Sequence, residues 1–138
     1  MTPEPPPPRD RLIGVGCDTE ERSRLEGVLA RDPAFLGRWF TAKEQEAIAR
    51  AADGPGLALR LFCLKEAAVK ALWRHIPLGI SRIEALPAPE GYRLCALDPR
   101  TATLRLDGHC QADARHAWAE VLAFHSPAAA SAGGETQA

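Results

Sequence analysis

Polar and apolar positions alternate through Ile13-Gly14-Val15-Gly16-Cys17-Asp18-Thr19-Glu20, the two-residue period of a strand. Ile13, Val15 and Cys17 then share one face, and Gly14, Gly16, Asp18 and Glu20 share the other. From Glu21 to Ala30 the spacing becomes helical, with Leu25, Val28 and Leu29 on one side until Asp32-Pro33 stops the run. A short helical turn is expected over 34–39. Thr41 and Glu44 have the spacing of a capping box at the start of the next helix, a local device worth about 1 kcal/mol, with Phe40 stapled across it. Asp53-Gly54-Pro55-Gly56 breaks the chain before a long helix from Gly56 to Trp73, in which Leu57, Leu61, Leu64, Ala68 and Leu72 form a buried stripe. Beyond Gly79 the pattern predicts strands over 80–86, 92–97, 103–106 and 117–124, separated by Pro, Gly and Asp.

This order predicts an α+β fold: a small antiparallel sheet, joined by the first strand, with helices packed on one face. Residues 1–10 read as a disordered proline-rich lead, 11–125 as one domain with its own core, and 126–138 as a disordered tail rich in Ala, Ser and Gly. Seventeen basic and 18 acidic residues, for a net charge of −1, give no reason to expect a nucleic-acid partner. A run of apolar residues long enough for a membrane span or a signal peptide is not found, so a cytoplasmic location is expected. Cys17, Cys63, Cys95 and Cys110 have no C-x-x-C spacing and are expected as free thiols rather than as a zinc site.

Candidate chemistry lies on two elements. Asp18 and Glu20 follow residues without side chains, an arrangement that leaves room for a bulky anion and offers hard oxygen ligands to Mg²⁺. The same pair also fits two solvated charges at a strand end. On the long helix, Lys65, Glu66 and Lys70 are expected to project away from the apolar stripe. Lys65 and Lys70 lie about 140° apart with Glu66 between them, so one face could present a carboxylate and two ammoniums. A surface Glu66–Lys70 pair, worth about 0.3–0.5 kcal/mol, explains part of the pattern without any ligand.

Gly16-Cys17-Asp18-Thr19-Glu20, Phe40-Thr41-Ala42-Lys43-Glu44 and Lys65-Glu66-Ala67-Ala68-Val69-Lys70-Ala71 occur in the order and spacing of three motifs, G-x-D-x-E, F-T-x-x-E and K-E-A-x-x-K. In these motifs the chain resembles the 4′-phosphopantetheinyl transferase superfamily, in the form of a single-half, holo-acyl-carrier-protein-synthase-like member. The resemblance implies that fold, and transfer of the phosphopantetheine arm of coenzyme A to a serine of an apo acyl or peptidyl carrier protein. It implies Mg²⁺ held by Asp18 and Glu66, with Glu20 a third ligand or a holder of water, Glu66 as the base directly or through water, and Lys65 and Lys70 as phosphate or leaving-group contacts. Glu44 is second-rank, because its capping role already accounts for it.

The chain also departs from the family pattern. Where short members follow the helix motif with K-A-x-G-x-G, this chain has Lys70-Ala71-Leu72-Trp73-Arg74-His75. Phe62, three residues before Lys65, is more like the longer enzymes that carry two such halves. A lone half is expected to complete its cleft as a homo-oligomer, dimer or trimer, or else to be a noncatalytic carrier-protein or coenzyme A binding module. His109 lies roughly where short members have a Ser-His pair, with Gly108 in place of the serine, and is a candidate coenzyme contact; a solvated loop histidine is the plainer reading. His75, His116 and His125 have no partner motif. Arg60, Arg74 and Arg82 are each able to meet a 3′-phosphate or an acidic carrier, and spacing does not select among them.

Overall fold

The computed structural model describes residues 2–6, 9–127 and 129. Strand β1 (Arg11–Glu21) leads into helices α1 (Arg22–Arg31), α2 (Phe35–Trp39), α3 (Ala42–Arg50) and the long α4 (Gly54–Leu72). Strands β2 (Ile83–Pro87), β3 (Tyr92–Ala96), β4 (Leu104–Ala112) and β5 (His116–His125) follow. They form one five-stranded sheet in the order β1-β5-β4-β3-β2, with every neighbouring pair antiparallel. The helices cover one face, as the α+β reading expects.

Helix α4 lies against that face because the strands beneath it carry almost no side chains there. The inward positions of β5 are Ala117, Ala119, Val121 and Ala123, all buried, and α4 answers with Ala67, Ala68 and Ala71. On β1 the inward positions are Gly14 and Gly16. A Cβ on Gly14 would stand 1.8 Å from the carbonyl oxygen of Ala71, and one on Gly16 would stand 2.0 Å from that of Ala67. Glycine is required at both positions by backbone approaching backbone.

The apolar face of β1 is therefore the outer one. Val15 is 60% exposed, while the glycine and carboxylate face turns toward α4. A bulge between Leu12 and Gly14 also shifts the alternation, so that Leu12, paired with Phe124, joins Val15 on the outer face in place of Ile13.

Capping sets the helix limits. Thr41 Oγ1 accepts from the Glu44 amide at 3.2 Å and a Glu44 carboxylate oxygen accepts from the Thr41 amide at 2.7 Å, completing the capping box. Asp53 accepts from the Gly56 amide at 3.1 Å and takes both Arg22 guanidinium nitrogens at 2.7 Å, so the residues read as a break in fact start α4 and tie it to α1.

Lys65 is the main correction to the expected helix face. It does not project into solvent: both Lys65 and Glu44 are fully buried, with Lys65 Nζ 2.6 Å from Glu44 Oε1 and 2.6 Å from the Trp39 carbonyl oxygen. Glu44 Oε2 accepts from the Ala85 amide at 2.8 Å, so one ion pair joins α3, α4 and β2. Burial pushes the Lys65 pKa down, and the Glu44 carboxylate opposes that shift. The step of five positions from Lys65 to Lys70 places them on different sides of α4, and Lys65's side is covered by α3 and β2.

The remaining differences are at element ends. Strand β4 runs to Ala112, well beyond the expected 103–106, and carries His109 on a strand rather than a loop. At the chain ends, Asp10 bonds Arg105 at 2.9 Å, and Ser126 is buried with its amide donating to the Thr103 carbonyl at 2.7 Å. The rest of the expected tail, apart from Pro127 and Ala129, lies outside the described residues, as do Met1, Pro7 and Pro8.

Two substitutions test these packing claims by chemical denaturation. Gly16→Ala is expected to cost about 3 kcal/mol or more, because helix and strand backbones must separate to admit one methyl. Lys65→Ala leaves Glu44 buried without its cation and is expected to cost about 3–5 kcal/mol. Wild-type midpoints in both variants would refute this account of the core.

Candidate active site

The glycines that admit α4 also fix where its polar residues meet β1. Asp18 and Glu20 continue the inward row beyond Gly14 and Gly16, and Glu66 and Lys70 lie on the part of α4 that passes over it. Lys70 Nζ stands 3.0 Å from Asp18 Oδ1 and donates to the Cys17 carbonyl at 3.0 Å, closing over the free edge of the strand. Asp18 raises the Lys70 pKa, so the ammonium stays charged. The other Asp18 oxygen, Oδ2, is buried and has no hydrogen-bond partner among the described residues.

Three carboxyl groups feel one another here. Burial pushes Glu20 up to about 7, helped by the closeness and charge of Asp18 and by the charge of Glu66, against Arg24. Burial also raises Glu66, with the Asp18 charge adding to the shift and Lys70 opposing it. Crowded, partly desolvated carboxylates behave this way when too little positive charge lies among them. Together with the unpartnered Asp18 oxygen, this donor set fits a hard divalent cation. The three side chains are neighbours and not a preassembled cage: among the described residues no group of three ligating side chains already converges on one point.

Two openings flank this cluster. A cleft of about 220 Å³ runs from Glu20, Arg24 and Glu66 between apolar walls that include Leu25, Phe35 and Phe62. A larger one, about 500 Å³, opens across the β1 edge to the outer sheet face and is lined by Asp18, Lys70, His109, Gln111, Trp118 and Glu120, among others. His109 therefore does reach the rim, from strand β4. It is paired with Glu120 across the sheet, and its Nε2 lies 3.3 Å from the Gln111 amide nitrogen.

Asp18, Glu20, Glu66 and Lys70 are thus brought together, with His109 at the margin and Lys65 elsewhere. Of the arginines, Arg82 is 3.6 Å from Asp98, on the far side of the sheet, and Arg60 is not among the residues lining either opening. Arg24 was missed in the sequence, although it follows Glu20 by four residues, at the first turn of α1. All four cysteines are free.

The holo-[acyl-carrier-protein] synthase of Idiomarina loihiensis is 38% identical over 70 residues, 51% of this chain and 56% of that protein. The synthase of Shouchella clausii is 36% identical over 72 residues, 51% of this chain and 62% of that protein. These matched segments span little more than half the length of the curated relatives. Among solved structures, the holo-ACP-synthase of Plasmodium yoelii superposes with a TM-score of 0.72 at 17% identity, covering 86% of this chain and 99% of that one. The Bacillus anthracis synthase in complex with CoA (3′,5′-ADP) gives 0.69 at 21% identity, covering 83% and 98%. At those identities the structures establish a shared fold. The family model of the 4′-phosphopantetheinyl transferase superfamily matches residues 14–121, from the glycine row of β1 through α4 to the inner row of β5, and the chain belongs to that superfamily.

Proposed function

We propose that the chain transfers the 4′-phosphopantetheine group of coenzyme A to a serine of an apo acyl or peptidyl carrier protein. The observation that carries this reading is the gathering of Asp18, Glu20 and Glu66, short of positive charge, beside one movable ammonium in a member of this superfamily. Asp18, Glu20 and Glu66 would hold Mg²⁺. When bound, that ion neutralises diphosphate oxygens and polarises the phosphorus under attack.

The protein's own groups supply the remaining chemistry. Glu66 takes the proton of the serine hydroxyl, directly or through a water. The serine oxygen then bonds to the phosphorus that carries pantetheine, and the bond from that phosphorus to the bridging oxygen breaks. Adenosine 3′,5′-bisphosphate leaves with the electron pair. Lys70, exposed enough to exchange Asp18 for a phosphate oxygen, stabilises the charge on that leaving group. Lys65 has no direct part, because its ammonium is sealed between Glu44 and the Trp39 carbonyl.

A homo-oligomer is part of the same reading. Leu12, Val15, Trp118 and Leu122 are all exposed, and the cross-strand pairs Val15–Leu122 and Thr19–Trp118 join them into one outer patch. That patch borders the cleft containing Asp18 and Lys70, so a second copy seated on it would wall the cleft. Free thiols support a reducing, cytoplasmic setting for the reaction.

Intact mass after incubation with coenzyme A, Mg²⁺ and apo carrier proteins tests the activity. Wild type should add the arm, and Asp18→Ala and Glu66→Gln should slow addition by about a hundredfold or more. Mg²⁺ alone should raise the wild-type melting temperature and leave that of Asp18→Ala unchanged. Coenzyme A binding with no transfer, across carriers competent with another transferase, would instead favour the noncatalytic module.

Light scattering tests the assembly. Wild type should run as a dimer or trimer and Val15→Asp/Leu122→Asp as a monomer with reduced transfer. A wild-type monomer that transfers at full rate would remove the assembly from the account.

A further inference from the structure

We propose that Trp73, flanked by Lys70 and Arg74, is the platform on which the adenine of coenzyme A stacks; this deepens the reading above and rests on it for the identity of the ligand. Helix α4 keeps helical backbone angles through Trp73, with φ −51° and ψ −43°. Lys70, Trp73 and Arg74 are therefore spaced i, i+3 and i+4 and share one face. With Ile13, Gly14 and Val15 they line a cleft of about 430 Å³ along the free edge of β1.

The indole is what packing does not explain. Cations in a last helical turn are accounted for by the helix dipole. Trp73, by contrast, is 61% exposed, so a large aromatic face is held in solvent between two positive charges. An aromatic face between cations suits a ligand that is itself a flat ring bearing phosphates.

Lys70 belongs to both this cleft and the one that contains Asp18, so a diphosphate held at Lys70 could direct its base either way. The Asp18 cleft also has a tryptophan, Trp118, but Asp18 and Glu120 stand in its lining. Among the described residues no carboxylate lines the Trp73 cleft, and Arg74 there offers a planar fork to a 3′-phosphate. A base with an attached phosphate is matched better on the Trp73 side. Trp73 also stands at the first glycine position of the family's K-A-x-G-x-G, so the platform is a feature of this chain.

Titration with adenosine 3′,5′-bisphosphate, followed by calorimetry and tryptophan fluorescence, tests the assignment. Trp73→Ala should weaken binding by about tenfold or more, and Trp73→Phe should hold it within about threefold of wild type. Quenching of emission in wild type should be absent in Trp73→Phe and kept in Trp118→Phe. Binding of 4′-phosphopantetheine, which has no base, should be equal in wild type and Trp73→Ala.

Unchanged bisphosphate affinity in Trp73→Ala, no bisphosphate binding in wild type, or quenching that depends on Trp118 would each overturn the platform. Tighter binding in Trp73→Ala would overturn it too, by showing that the indole obstructs the site. The transferase reading fails separately: Trp73-dependent bisphosphate binding without arm transfer removes that reading and keeps the platform. Transfer with an unchanged KM for coenzyme A in Trp73→Ala removes the platform and keeps the reading.

Discussion

Contact between two backbones, α4 on β1, is the constraint from which the rest of the architecture follows. Gly14 and Gly16 lie under the carbonyls of Ala71 and Ala67 with no room for a methyl. At that separation an inward side chain on β1 cannot pass beneath the helix. It can only emerge beyond the last glycine, and Asp18 and Glu20 are the next two inward positions. The carboxylates are thus placed by the same close approach that brings Glu66 and Lys70 over the strand. The candidate site and the core share one origin here, so a change that loosens the helix disperses the site before it unfolds the chain.

Two ammoniums on one helix show how burial divides labour. Lys65 is fully enclosed and paired with Glu44, which in turn closes a helix cap and satisfies the Ala85 amide. An ion pair with so many fixed partners holds three elements in register and cannot turn to a ligand. Lys70 has one carboxylate oxygen and one carbonyl, on an exposed edge. Exchanging those partners for a phosphate oxygen requires little more than a rotamer change. Their sequence surroundings are alike; what separates them is whether another element covers them.

That difference marks the limit of what could be read from the chain. The strand motif, the capping box of Thr41 and Glu44, the long helix and the antiparallel strands were all legible, because each depends on local spacing. Lys65 was misplaced because a helical wheel gives angles and does not say which side α3 and β2 will cover. His109 was assigned to a loop because Asp107-Gly108 reads as a turn. In the fold Gly108 is a strand glycine, and a Cβ there would come within 2.5 Å of Leu94 Cδ1 and 3.0 Å of Leu64 Cδ2. Its small size serves core packing, which local pattern cannot distinguish from a bend. The outward turn of Val15 was not legible for a related reason: alternation identifies two faces without saying which lies under the helix, and glycine was needed there.

The apolar face of β1 also shapes the site. With its glycine face spent on the helix, β1 leaves Val15 and Leu12 outside, next to Leu122 and Trp118 of β5. An apolar outer face is unfavourable on an isolated small domain and favourable against another surface. Asp18 and Lys70 sit where this face meets the helix layer, at the open edge of the sheet. A ligand there can be held from the helix side by charge and from the sheet side by whatever covers the apolar patch. The edge strand that exposes the chain to association is therefore also the strand that carries its carboxylates, and the two properties have one cause in the glycine row.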